Sequence, residues 1–229
     1  MIRAADPYRD TDVIDARAPR VNQTVVGVVS LIAFLTGWWP LLALLALQLA
    51  IGLRFGRRFC LPCLLYFEVI QPRIGEGRLE DSRPPRFANI VGAIFLGGAT
   101  VAHLAGLTAL GWGLGLIVAA LALLAASTGI CVGCEMYRIG ARLRGVRSGL
   151  LSRIDPADVS ALREGSIVEF THPLCTDCHT LERDLAARGE HVVSVDVSKR
   201  PDLARKYGVA VVPTAVSVTA AGLVIARVA

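Results

Sequence analysis

With 229 residues the chain has room for one or two domains, and a hydrophobic fraction of 54% with a mean hydropathy of +0.55 is high for a protein that lives wholly in water. The net charge of +5 is unevenly spread: residues 1–154 carry sixteen arginines, no lysine and nine acids, whereas residues 155–229 are slightly acidic. Arginines beside hydrophobic runs, with no aromatic-interleaved basic face, favour a membrane surface and exclude nucleic acid as the partner.

Residues 1–20 read as a polar N-terminal segment. Arg3, Arg9, Arg17 and Arg20 stand among four aspartates with no apolar core, so no cleavable signal peptide is expected. From Val21 to Leu53 no residue is charged. One helix of that length would run about 50 Å at ~1.5 Å per residue against roughly 30 Å of hydrocarbon, and Thr36-Gly37-Trp38-Trp39-Pro40 interrupts it. The reading is two antiparallel spans, about 23–38 and 41–55, with the tryptophans at the interface and Pro40 opening the second. Cys60-Leu61-Pro62-Cys63 then closes the second span, and Leu64 to Ile70 reads as a short interfacial helix before Pro72 and a polar loop to Arg86. Phe87 to Leu107, with Gly92, Gly97, Gly98 and Ala99 for close helix contact, is the third span; Gly111 to Ile130 is the fourth, closed by Cys131-Val132-Gly133-Cys134.

Charge sets the expected orientation. The loop Thr108 to Gly113 has none, whereas seven arginines lie between Arg54 and Arg86 and five between Arg138 and Arg153. The N-terminus, the middle loop and the C-terminal arm are therefore expected in the cytoplasm, and an even number of spans leaves both membrane cysteine pairs on one face. Residues 1–20 form the N-terminal segment, 21–137 a membrane domain, 138–154 an Arg-rich tether and 155–229 a soluble domain.

In the soluble arm, helices are expected at 156–164, 175–188 and 201–207, and strands at 166–170, 191–197, 211–218 and 223–228, the last two a hairpin turned at Ala220-Ala221-Gly222. A Cys-x-x-Cys pair, Cys175-Thr176-Asp177-Cys178, sits at the first strand-to-helix junction. Ile167-Val168-Glu169-Phe170 before the pair, Val195-Asp196-Val197, Ala204 to Val209 and Val212-Pro213-Thr214 stand at matching spacings, and together residues 160–228 resemble the thioredoxin family. The overall fold class expected is therefore a membrane α-helical domain of four transmembrane helices plus an α/β thioredoxin-like domain lacking the final helix.

That resemblance implies roles. Cys175, at a helix N-terminus where unpaired amides stabilise a thiolate, would be the attacking nucleophile and Cys178 the resolving thiol. Glu169 would be the buried acid that takes or gives the proton, and Pro213 the cis-proline whose neighbour Val212 offers backbone hydrogen bonds to a docked polypeptide. The chain departs from the family in several places. Leu174-Cys175-Thr176-Asp177-Cys178 replaces Trp-Cys-Gly-Pro-Cys, so Asp177 would oppose the thiolate and His172 or His179 would counter it. Ser194 stands where the family pairs a lysine with its acid, and the final helix is missing, which leaves one sheet face for the membrane domain or a partner to cover. Cys175 to His179 also fits the short pattern for covalent haem attachment, a reading that the thioredoxin-like frame and the scarcity of methionine, Met1 and Met136, oppose.

All six cysteines fall in Cys-x-x-Cys pairs. Three readings of Cys60, Cys63, Cys131 and Cys134 compete: small buried hydrophobes, a redox relay exchanging electrons with Cys175 and Cys178, or a soft-ligand site for zinc or a passing thiophilic ion. The membrane arm, through Arg20 to Gln23, Pro85 to Ala88 and Gly129 to Cys134, resembles an uncharacterised bacterial membrane family, a domain of unknown function, and that resemblance implies no activity. The expectation is a multi-pass cell-membrane protein acting as a thiol-disulfide oxidoreductase, its partners the bilayer and a thiol or disulfide protein or a small sulfur compound. The alternative is a transporter or sensor of a thiophilic ion or small sulfur compound. No cofactor is demanded; a quinone and zinc are the candidates. His103 reads either as functional or as an interfacial histidine bonded to a carbonyl, Gln48 as an interhelical donor, and Glu68 and Glu135 as headgroup contacts.

Overall fold

The computed structural model describes residues 5–148, 151–159, 162–209 and 212–228, and the chain divides into two compact units. The helical unit takes Ala4–Gly77 and Ser82–Tyr137; the sheet unit takes Arg78–Asp81 and Arg138–Ala229.

In the helical unit, a short strand β1 (Val13–Asp15) leads into α1 (Arg17–Thr36). Gly37 ends α1 in the left-handed conformation, φ +68°, its amide returning to Ala33 and Phe34, and Pro40 opens α2 (Pro40–Phe55) at the position where its missing N–H costs nothing. A 3₁₀ turn (Arg57–Phe59) precedes α3 (Leu61–Leu64), which continues through a π-helical stretch (Leu65–Ile70) into α4 (Gln71–Ile74). Then follow α5 (Arg83–Leu104) and α6 (Thr108–Thr128), which Gly129 ends as a left-handed cap, and α7 starts at Val132. The break expected at Gly37 to Pro40 is in place, whereas the one expected over Thr108 to Gly113 falls earlier, between Leu104 and Thr108, where α6 already begins. Among the described residues α1, α5 and α6 are long and apolar enough to cross a membrane, whereas α2 is apolar but shorter.

Val26, Ala33, Leu42, Leu45, Leu49, Leu96, Ala99 and Val118 form the common core of α1, α2, α5 and α6. Lipid tails are as apolar as these side chains, so close packing must hold the helices together, and small residues permit it. A Cβ on Gly27 would fall 2.7 Å from Leu123 of α6, and one on Gly115 would fall 3.0 Å from Leu42 of α2. Leu35, Ile94, Val101 and Leu104 face outward, as a lipid-facing surface requires.

The sheet unit contains strand β2 (Leu79–Asp81), then, beyond α7 (Val132–Ser148), a four-stranded sheet of β3 (Ser166–Thr171), β4 (Val192–Asp196), β5 (Thr214–Val218) and β6 (Val224–Arg227). The strand order is β4-β3-β5-β6; β3 pairs with β4 in parallel and with β5 antiparallel, and β5 and β6 form a hairpin. Helix α8 (Thr176–Ala187) makes the parallel crossover, and α9 (Pro201–Lys206) follows β4. One set of inward residues, Val168, Phe170, Val216 and Val218, packs against Leu203, Tyr207 and Ile154; on the other, Ile167 and Ala215 meet Leu185. Each such buried side chain contributes about 1.5–3 kcal/mol.

The helix expected over 156–164 is absent among the described residues, which form turns instead; Ser160 and Ala161 lie outside them. Local hydrogen bonding explains this. The Asp155 carboxylate accepts from the Ala157 amide at 2.9 Å, and Asp158 is bound by Lys206 at 2.6 Å and by the Tyr207 hydroxyl. The turn carries the chain to the edge of the sheet, where the Ile154 amide donates to Gly222 at 2.7 Å. Gly222 has φ +79° and sits so close to the Ile154 carbonyl that no Cβ fits. The strand expected over 211–218 begins at Thr214, with Ala210 and Val211 outside the described residues.

Candidate functional site: three cysteine pairs at helix starts

In the sheet unit, Cys175 precedes the first residue of α8 in extended conformation, and its sulfur accepts the Cys178 amide at 3.2 Å. The two form a disulfide with Cα atoms 5.3 Å apart, and both are fully buried. His172 shapes the approach: its carbonyl accepts from the Cys175 amide at 2.9 Å and its Nδ1 from the Leu174 amide at 3.2 Å. His179 Nε2 lies 2.8 Å from the Pro173 carbonyl. The Val212–Pro213 peptide is cis.

Glu169 lies on β3, opposite Ser194 of β4 and Ala215 of β5. It is fully buried, and neither carboxylate oxygen has a hydrogen-bond partner. Burial, then repulsion from Glu182, pushes its pKa up from the ordinary 4.5 to about 7. Ser194 does not offset this; its hydroxyl donates to Glu182 at 3.4 Å.

The same unit includes a segment that sequence reasoning did not connect with the pair. Arg78 is ion-paired with Asp177, the Leu79 amide donates to the Thr176 hydroxyl at 2.9 Å, and the Val212 amide donates to the Asp81 carboxylate at 3.2 Å. Arg78 thus neutralises the charge expected to oppose a Cys175 thiolate, and the Val212 amide expected to greet a docked polypeptide already holds Asp81.

In the helical unit the membrane pairs do not end spans as expected; each opens a helix. Cys60 caps α3 and forms a disulfide with Cys63, Cα atoms 5.1 Å apart. Its Cβ packs on α2, where a Cβ at Gly52 would come within 3.2 Å, and Gln48 donates to the Phe59 carbonyl at 3.1 Å. Cys131 stands just before α7, with the Cys134 amide 3.4 Å from its sulfur and the Glu135 amide 2.9 Å from its carbonyl. These two remain thiols. Hydrogen bonding from Cys134, aided by the amides of Cys134 and Gly133 and by the Gln23 side chain, brings the Cys131 pKa from the ordinary 9 down to about 6, against the opposing effect of burial.

Cys131 also lines a cavity of about 110 Å³ between α1, α2, α5 and α6. Asn22, Gln23 and Asn89 share its wall, and the rest is apolar. Asn22 is 5% exposed; its Nδ2 donates to Asn89 Oδ1 at 3.0 Å, and its own Oδ1 has no partner. Asn22 and Gln23 enter the sequence pattern only within the segment Arg20 to Gln23. Amides placed inside apolar spans were the available signal.

The remaining polar side chains resolve differently from expectation. The Glu68 carboxylate accepts from the Tyr8 hydroxyl at 2.6 Å and so is not simply a headgroup contact. Arg57, counted with the membrane-surface arginines, donates instead to the carbonyls of Pro7, Thr11 and Val13. His103 is stacked on Trp39 and edge-on to Trp112, and its Nε2 is buried without the carbonyl partner expected of it. No three His, Cys, Asp or Glu among the described residues are grouped as a metal ion requires. The Cys60 and Cys63 sulfurs are bonded to each other.

Among known protein families, Domain of unknown function (DUF4395) matches residues 14–142, which include both cysteine pairs of the helical unit and the cavity. No curated protein and no solved structure matches the chain.

Proposed function

The chain belongs to the family described as Domain of unknown function (DUF4395), and on that premise we propose that it is a membrane-bound thiol-disulfide oxidoreductase in which Cys175 and Cys178 exchange with the cysteine pairs of the helical unit. One observation carries the reading: Cys131 and Cys175 occupy the same position before a helix, each sulfur receiving the amide of the cysteine three residues on, one pair as a dithiol and the other as a disulfide. In each exchange a thiolate attacks one sulfur of the partner disulfide and that S–S bond breaks, its far sulfur leaving as a thiolate that takes a proton. The second cysteine of the attacking pair then loses its proton and attacks its neighbour's sulfur, which breaks the mixed disulfide and releases the partner's other sulfur as a thiolate that takes a proton. The attacking dithiol ends as a disulfide and the partner as a dithiol, two electrons and two protons having moved.

Three finer assignments accompany this reading. A thioredoxin-like fold for the sheet unit is supported by the order β4-β3-β5-β6, the pair at the start of α8 and the cis-proline before β5. A fourth span is supported by α2, which shares the core of α1, α5 and α6 although its sixteen residues reach only about 24 Å. A cytoplasmic sheet unit is supported by the arginine distribution.

A Cys178→Ser chain tests the exchange. With the resolving thiol gone, Cys175 should be trapped in a mixed disulfide with one of Cys60, Cys63, Cys131 or Cys134, visible as a cross-linked peptide by mass spectrometry; its absence under reducing and reoxidising cycles removes the reading. For orientation, a membrane-impermeant maleimide applied to intact cells should leave Cys131 unlabelled until the membrane is opened.

A further inference from the structure

We propose that the cavity beside Cys131 binds the ring of a lipid-borne quinone, which takes two electrons from the Cys131–Cys134 dithiol. The use of those electrons rests on the exchange reading above; the site stands on its own geometry. The cavity of about 110 Å³ is close to the ~150 Å³ apolar hole known to admit benzene, and Val26, Leu49, Phe95 and Val118 give it apolar walls. A flat apolar ring fits such walls and a hydrated ion or a peptide does not. Ile117 and Leu121 of α6 line the same cavity yet are exposed, and α6 is long and apolar enough to span a membrane, so the opening faces lipid.

Asn22, nine-tenths buried and more, has an acceptor oxygen with no donor, which costs roughly 1–3 kcal/mol until one arrives. The hydroquinone product supplies that donor through its hydroxyl. Asn89 accepts from the Asn22 side chain, and Gln23 and Cys131 line the same cavity, so an acceptor and a thiol share its wall.

The step balances. The Cys131 thiolate bonds to a ring carbon of the quinone; Cys134 loses its proton and attacks the Cys131 sulfur; the S–C bond breaks and its electron pair passes to the ring. The ring takes two protons, one from the Cys134 thiol and one from water, and leaves as hydroquinone, while the thiol pair becomes a disulfide. Cys131 is the catalytic residue in this step, and Asn22 a binding residue.

The experiment uses the full chain in lipid nanodiscs, reduced and then freed of reductant, with a short-tailed ubiquinone added anaerobically. Loss of the oxidised quinone's ultraviolet absorbance and formation of the Cys131–Cys134 disulfide, followed by mass spectrometry, should rise together and saturate with quinone. Cys131→Ser should abolish both. Asn22→Leu should raise the hydroquinone concentration that half-inhibits the reaction roughly tenfold, the loss of about 1.4 kcal/mol of product binding, and Val118→Trp should block the reaction by filling the slot. An unchanged alkylation rate of Cys131 in the last two variants shows that they are folded. Oxidation that does not saturate, ignores Val118→Trp and is inhibited by hydroquinone equally in Asn22→Leu overturns the site, as does a stable quinone adduct on Cys131 without disulfide. If the Cys178→Ser trap forms while quinone stays oxidised, this site falls and the exchange reading survives; quinone reduction without the trap gives the reverse.

Discussion

Cys131–Cys134 and Cys175–Cys178 share their local backbone and almost nothing else. Each begins a helix, and each first sulfur receives the amide of its partner, at 3.4 and 3.2 Å. Around Cys175 the neighbours are the core of a β-sheet unit, including Val168, Phe170 and Val216, with a buried acid on the central strand and a charged segment across the helix start. Around Cys131 they are carboxamides and the wall of an apolar cavity. The device that stabilises a thiolate is therefore local and portable, needing only four residues and a helix to follow. What the thiolate can meet is decided by the walls, which the two units build from unrelated parts.

The largest expected difference between the pairs lies in Glu169, which has no counterpart among the cavity residues. Its folded pKa of about 7 lies above the ordinary 4.5, so burial favours the protonated form. The stability that this protonated carboxyl contributes to the sheet unit is fully present below about pH 4.5 and is lost as pH rises through 7. The displacement corresponds to about 3 kcal/mol at most. Protection of the β3 amides, that is, exchange relative to the intrinsic rate at each pH, measured on the solubilised full chain, should fall between pH 5 and 8, and Glu169→Gln should flatten that dependence. A wild-type profile already flat would mean that the acid is not held neutral.

A smaller effect is expected at Cys131. Its alkylation rate should follow a titration centred near pH 6, and in Cys134→Ala the midpoint should move up toward the ordinary 9, because hydrogen bonding from Cys134 is the largest cause of the depression. At neutral pH the rate should fall by roughly tenfold or more. Equal rates in both proteins would separate the two pairs that the common backbone suggests are alike. Least affected should be Arg78→Ala. The Arg78 side chain is mostly exposed, so its pairing with Asp177 is worth at most about 1 kcal/mol, and reduction of the Cys175–Cys178 disulfide by a small dithiol should change only a few-fold.

Much of this could be read along the chain, and the rest could not for identifiable reasons. Gly37 and Pro40 marked the turn between α1 and α2 because a left-handed residue and a missing N–H have few other uses. The resemblance to the thioredoxin family implied a helix opening at Cys175 and a cis-proline at Pro213, and both are present. The pairs at Cys60 and Cys131 were misread as span ends because apolar run length locates where a helix stops but not where the next one starts; Gly129, in the left-handed conformation, is the residue that separates the two. Asp155 stands just before the helix expected over 156–164 and instead accepts from the Ala157 amide in a turn. Arg78 to Asp81 escaped altogether, because its partners lie roughly a hundred positions away and a charged loop looks the same whether it meets water or a binding edge.

That last segment has a kinetic meaning. Arg78, Leu79 and Asp81 satisfy the polar groups beside the cysteine pair, including the amide next to the cis-proline, and they are covalently part of the same polypeptide. A tethered occupant acts at an effective concentration on the order of millimolar. On the proposed exchange reading, a diffusing protein thiol present at much lower concentration would have to wait for that occupant to leave, and the segment would act as a competitive guard, insulating Cys175 and Cys178 from the bulk thiol pool while leaving them available to whatever can lift it.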